Sequence, residues 1–154
     1  MIAIRIVLAT AAAALAGFAF HVVYGRGFAQ DYLASAGENG RLADVLQDPY
    51  PTYVVTIAAL TALIPTLGKV IAWLLVRDKL PGVTTACKAF WFTGLMMLIS
   101  QDFLRMPIMN LLIGMPIDVW AVLSAEQWVI VPMTCFLIAF ISPPREPKPS
   151  EKPS

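Results

Sequence analysis

One histidine and two cysteines are all the soft-ligand and redox chemistry that this chain of 154 residues carries. Cys87 and Cys135 belong to no C-x-x-C pair and there is no second His, so zinc and dithiol signatures are missing. A lone His21 also excludes bis-His haem ligation within one subunit. Charge is equally scarce: 14% of the residues are Asp, Glu, Lys or Arg, where an average soluble domain has about a quarter. With a net charge of +1 and no long Lys/Arg run, nothing here would attract nucleic acid. A Gly-rich phosphate loop, an H-E-x-x-H helix and a recognisable Ser-His-Asp context are absent as well. No solenoid repeat is visible, and the two halves are too dissimilar to argue an inverted-repeat transporter. No catalytic residue, metal or cofactor is expected. The two cysteines read as small apolar helix residues, with no disulfide between them beside a reducing cytoplasm.

What the chain has in abundance is apolar surface, 58% of its residues. A soluble domain of this length could not hide that excess without exposing large sticky patches, whereas a bilayer supplies the missing apolar solvent. Four stretches approach or exceed the ~20 residues needed to cross a hydrocarbon core of ~30 Å. They predict an all-α integral membrane protein, a four-transmembrane-helix bundle with helices at about 2–24, 53–76, 83–104 and 117–141. A loop over 25–52 lies outside, and a Pro-rich tail over 142–154 is expected to be disordered with polyproline II bias. The start of the fourth helix is open. Ser124 with Gln127 fits a capping box, but a helix from Ser124 to Ile141 falls just short of spanning, whereas one from Ile117 is comfortably long. Between the third and fourth helices, Pro107 and Pro116 punctuate an apolar segment that suggests a short re-entrant or interfacial turn.

Arg5, Arg77, Lys79, Lys88, Arg145, Lys148 and Lys152 flank one side and only Arg26 and Arg41 the other, with Lys69 and Arg105 near or within helices. The positive-inside rule then places both termini in the cytoplasm of a bacterial inner membrane. Residues 1–29 could also be a cleaved signal peptide, but the apolar run is long for one and Phe18, Phe20 and Tyr24 favour a retained anchor.

Ionisable groups inside a membrane cost a few kcal/mol and are functional candidates by default. His21, Asp102 and Glu126, from three helices, fall at one depth in the outer half, joined by Gln101 and Arg105. They form a candidate polar pocket able to hold a proton, a small solute or a quinone head group. The plainer alternative is that Asp102 neutralises Arg105, Glu126 favours a helix first turn and His21 bonds a neighbouring carbonyl. Lys69 is expected to snorkel towards the cytoplasm. Pro65 and Pro132 should kink their helices. Ala9, Ala13 and Gly17, spaced by four, mark a face for close helix packing, against either an internal helix or another subunit.

The leading functional expectation is a non-catalytic subunit or accessory protein of a membrane complex, with the lipid bilayer, a second copy or a larger assembly as partners. Two others stay open: a dimeric proton-coupled transporter or channel for small solutes built on the outer polar layer, and a membrane-embedded redox or lipid enzyme.

Overall fold

Gly25 and Gly27, which the sequence suggests as the start of a loop, lie inside a continuous helix. In the computed structural model, which describes residues 2–39, 52–100, 108–109, 112, 114 and 116–144, every regular element is helical. Helix α1 (Ile2–Val23) runs through a wider π-helical stretch (Tyr24–Ala29) into α2 (Gln30–Glu38). The chain then resumes with α3 (Thr52–Thr61), α4 (Leu63–Val76), α5 (Thr85–Ile99) and α6 (Ile117–Ile141).

Three helical stretches are long and apolar enough to cross a membrane: Ile2–Glu38, Ala59–Val76 and Ile117–Ile141. The segment expected over 83–104 is described as helix only for the 15 residues Thr85–Ile99, about 22 Å long. Its expected end lies outside the described residues. So do 40–51, most of the turn before Pro116, and 145–154.

The first helix overruns its expected end because tertiary packing outweighs glycine propensity, which costs only about 1 kcal/mol per residue. The 37 residues of Ile2–Glu38 span about 55 Å, far more than a hydrocarbon core. Contacts show how they are used. Gly17 lies against Ile130 and Thr134, His21 meets Glu126, Tyr24 bonds the Val122 carbonyl and Tyr32 bonds Asp118. As residue numbers rise along the first helix they fall along α6, so α1–α2 and α6 are antiparallel along their lengths. The π stretch keeps this alignment. The facing residues of α1 recur at three or four, whereas Tyr24 and the buried Ala29 are five apart, a spacing that an i→i+5 turn brings onto one face and an α-turn would not. Beyond it, Ala36 packs on Val119 beside Tyr32, Leu33 and Leu123.

Helix α6 starts at Ile117, not at Ser124. Its first turn carries Asp118, Trp120 N–H reaches the Pro116 carbonyl at 2.9 Å, and Val119 is fully buried. Packing on α2 therefore holds the extra turns that the capping-box start would leave out. Pro65 and Pro132 behave differently. The second span is interrupted at Ala62, between α3 and α4, where Pro65 lacks the N–H that would bond Thr61. The Thr61 and Thr66 hydroxyls bond the carbonyls of Ile57 and Ala62 nearby. Around Pro132, α6 is unbroken; Val131, Thr134 and Cys135 are buried there, and that packing holds the helix together.

The main core joins α1, α4, α5 and α6 through Ala9, Ala13, Val70, Trp73, Ala89, Phe92, Val131, Cys135, Ile138 and Ala139. Ala9 and Ala13 are fully buried in it, so this small-residue face is spent on contacts within the chain, where close backbone approach maximises dispersion. Trp73 and Phe92 meet edge to face at 5.2 Å.

Helix α5 opens with Thr84, whose hydroxyl accepts from Cys87 N–H at 3.1 Å. Just before it, Gly82 holds φ +105°, and a Cβ there would sit 2.4 Å from the Cys87 sulfur. Only glycine fits this entry turn.

Candidate functional site

Among the five residues proposed for an outer polar pocket, His21 and Glu126 are brought together; Gln101, Asp102 and Arg105 lie outside the described residues. His21 Nδ1 is 2.5 Å from Glu126 Oε1. The His21 side chain is 56% exposed and that of Glu126 18%. The carboxylate is thus held inside the α1–α6 seam while the imidazole covers it from outside. Gly25 lies beside the ring: a Cβ there would meet His21 Cε1 at 3.8 Å, an ordinary van der Waals contact. Phe18 flanks the imidazole, with ring centroids 6.4 Å apart.

One turn further, the Tyr24 hydroxyl donates to the Val122 carbonyl at 2.8 Å. Tyr32 donates to the Asp118 carboxylate. Three cross-links, His21–Glu126, Tyr24–Val122 and Tyr32–Asp118, therefore stitch the N-terminal half of α6 to the long first helix. Phe20, Tyr24, Phe28 and Tyr32 form a row of ring contacts beside them, with centroids 5.7 to 6.4 Å apart. Sequence inspection missed both tyrosines as site residues, because the expected loop over 25–52 hid Tyr32 and with it the spacing of four that runs from Phe20 through Tyr24 and Phe28 to Tyr32.

A second polar cluster closes the other end of α6. The Ser142 carbonyl accepts from Trp73 Nε1 at 2.7 Å and from Arg77 at 2.9 Å, and Arg77 also reaches the Pro143 carbonyl at 2.9 Å. Arg77 is 92% buried by its 8% relative exposure; Asp78 lies 4.0 Å away. Sequence inspection counted Arg77 only as a topology marker. The available signal was the run Ser142-Pro143-Pro144: a helix leaves its last carbonyls without partners, and prolines supply no N–H to satisfy them. Glu126 lies about 24 Å along the axis from Ser142, a separation comparable to the thickness of a hydrocarbon core.

Lys69 is half-buried on α4. Cys87 and Cys135 are both free. Among the described residues, no group of three or more His, Cys, Asp or Glu side chains is placed to hold a metal ion.

Chemically, the His21–Glu126 pair can exchange or share a proton, and it can also serve simply as a helix cross-link. No family model matches the chain, and neither a curated protein nor a solved structure matches it.

Proposed function

We infer that this protein is a small polytopic membrane protein that serves as a non-catalytic subunit or accessory protein of a membrane complex. The observation that carries this reading is where the polar side chains go. His21, Tyr24, Tyr32, Trp73 and Arg77 bond groups on or just after α6. Meanwhile Leu15, Ile64, Leu75 and Leu98 point outward at 64–72% exposure, a surface suited to lipid tails and neighbouring helices. Polar chemistry is spent on holding helices together. In this reading the chain crosses a bacterial cytoplasmic membrane four times with both ends inside, α5 being the core of the third crossing.

Purification in mild detergent tests it: a larger complex should co-purify in fixed stoichiometry, while solute or proton movement by the protein reconstituted alone would refute it. Reporters fused after Arg77 and after Ser154 should lie in the cytoplasm, and those near Asn39 and near Gly114 outside. A reversal at any one site refutes the four-crossing map.

The His21–Glu126 contact favours a second reading, a proton-coupled small-solute transporter or channel in which these two residues form the exchangeable layer. Glu126→Gln separates the two. It leaves the accessory role nearly intact but abolishes any pH-dependent transport.

A further inference from the structure

Helix α4 and the preceding α3 carry a pattern that the bundle itself does not use. Ile57, Ile64 and Ile71 recur at seven, and Leu60, Leu67 and Leu74 recur at seven, three residues behind them. This is three heptads with isoleucine at every a position and leucine at every d position. The stripe faces away from the chain's own core. Ile57, Leu60, Ile64, Leu67 and Ile71 are 41–72% exposed, whereas Thr66, Val70, Trp73 and Arg77 are buried, and the two sets lie about 120° apart round the helix. Leu74 sits at the edge, partly packed on the core.

We propose that this stripe pairs two copies of the chain, as a parallel two-stranded coiled coil of α3–α4 within the membrane. The proposal rests on these helices crossing the bilayer. A face that only met lipid tails would be indifferent to which of isoleucine and leucine stood where, since both are equally apolar to hydrocarbon. Knobs-into-holes packing is not indifferent: β-branched residues at a with leucine at d select two parallel strands. Two copies inserted in the same orientation are parallel by necessity, and about a two-fold axis each stripe residue meets its own equivalent. That geometry tolerates no charge at the seam, and Lys69 lies on the opposite side of the helix. Thr61 and Gly68 flank the seam as small residues, and nothing stands within 4 Å of a Cβ built on Gly68, so a partner backbone can approach closely. Ala62 and Pro65 also fall off the stripe, so the helix interruption bends the seam without breaking its row of side chains.

The test uses the full chain in its own membrane, with Cys87→Ala and Cys135→Ala as background. Single cysteines replace Ile64, Leu67 or Ile71, and controls replace Leu15 on α1 or Leu98 on α5, both also exposed. Mild oxidation should yield disulfide-linked homodimers at the three seam positions well above the controls. Equal yields everywhere, a maximum at Leu15 or Leu98, or seam cysteines that link to a different protein would overturn the proposal. A second measurement uses Ile64→Ala with Leu67→Ala, whose side chains are exposed and so leave the monomer folded. Its dimer in detergent should dissociate at a concentration shifted roughly tenfold, and a wild-type mass already monomeric would equally overturn it. Membrane extraction and the reporter at Arg77 report separately on whether the span itself is correct.

Discussion

His21 Nδ1 lies 2.5 Å from Glu126 Oε1 across 105 residues of chain, and this contact joins the two longest helices of the protein at one depth. A carboxylate only 18% exposed depends on that partner, because a buried acceptor left unpaired costs about 1–3 kcal/mol. A double-mutant cycle of His21→Ala and Glu126→Ala, read by thermal unfolding in detergent, should show a coupling of about 0.6–2 kcal/mol. Strict additivity of the two single variants would mean that the pair holds nothing together.

Arg77 should matter more to stability than any other cation among the described residues. Its guanidinium is buried and spans the carbonyls of Ser142 and Pro143. Both bonds leave one nitrogen, Nη1, so a lysine ammonium can in principle make them too, but it must bring a strongly hydrated point charge on a shorter stem into the same buried place. Arg77→Met should lower stability by about 1–3 kcal/mol, Arg77→Lys by less, and Trp73→Phe by about 0.5–1.5 kcal/mol for its one donor. Protease sensitivity of the segment after Ser142 should rise in the same order. An unchanged unfolding midpoint in Arg77→Met would show that the cap is dispensable.

Hydropathy made the helical, membrane-suited character of the chain legible, and the length argument gave the correct start of α6 as one of two options. The residues Ala9, Ala13 and Gly17 could be picked out by spacing, but not whether their partner was internal. That depended on α6 arriving antiparallel, a long-range fact. Helix α2 was illegible for a local reason: Gly25, Gly27, Gly37 and Asp31 carry loop chemistry, while the packing that overrides it, Ala36 on Val119 and Tyr32 on Asp118, comes from residues some eighty positions away. That His21 and Glu126 stand level with one another on their helices was suggested by the 1.5 Å rise alone. Their contact required knowing which faces of the two helices meet.

Gly82 tests how tightly the entry to α5 is fixed. Its φ of +105° is open to glycine, and a methyl group would overlap the Cys87 sulfur. Gly82→Ala should destabilise by about 1–3 kcal/mol from strain at a position that L-residues avoid. Cys87→Ala in the same chain should remove only the sulfur overlap, since the β-carbon at position 87 would still lie 2.8 Å from the new methyl, so the double variant should recover part of the loss and stay well below wild type. Equal stability of the single and double variants would show that the sulfur is not the obstacle.

The π-helical stretch makes the sharpest claim about how the long first helix works. If Tyr24–Ala29 holds one residue more than an α-helix would need, deleting Gly27 should let it relax to α geometry. Residues beyond it then keep their place around the axis, because losing the extra residue and losing the wider turn cancel; deleting Gly25 as well leaves nothing to absorb the loss and turns every later residue by about 100° relative to α1. The inner face of Ala9, Ala13 and Gly17 is untouched, so α1 should stay packed on α6. In the single deletion Ala36 should stay on Val119 and Tyr32 on Asp118; in the double deletion both contacts should be lost. Cysteines introduced at Ala36 and Val119, with Cys87 and Cys135 replaced by alanine, report this directly. They should form an intramolecular disulfide in the full-length chain and in the Gly27 deletion and fail to do so in the double deletion, while a pair at Ala13 and Ile138, both in the main core, responds alike in all three. If the Gly27 deletion alone abolishes the Ala36–Val119 disulfide, the π stretch does not hold one extra residue that sets the phase of α2.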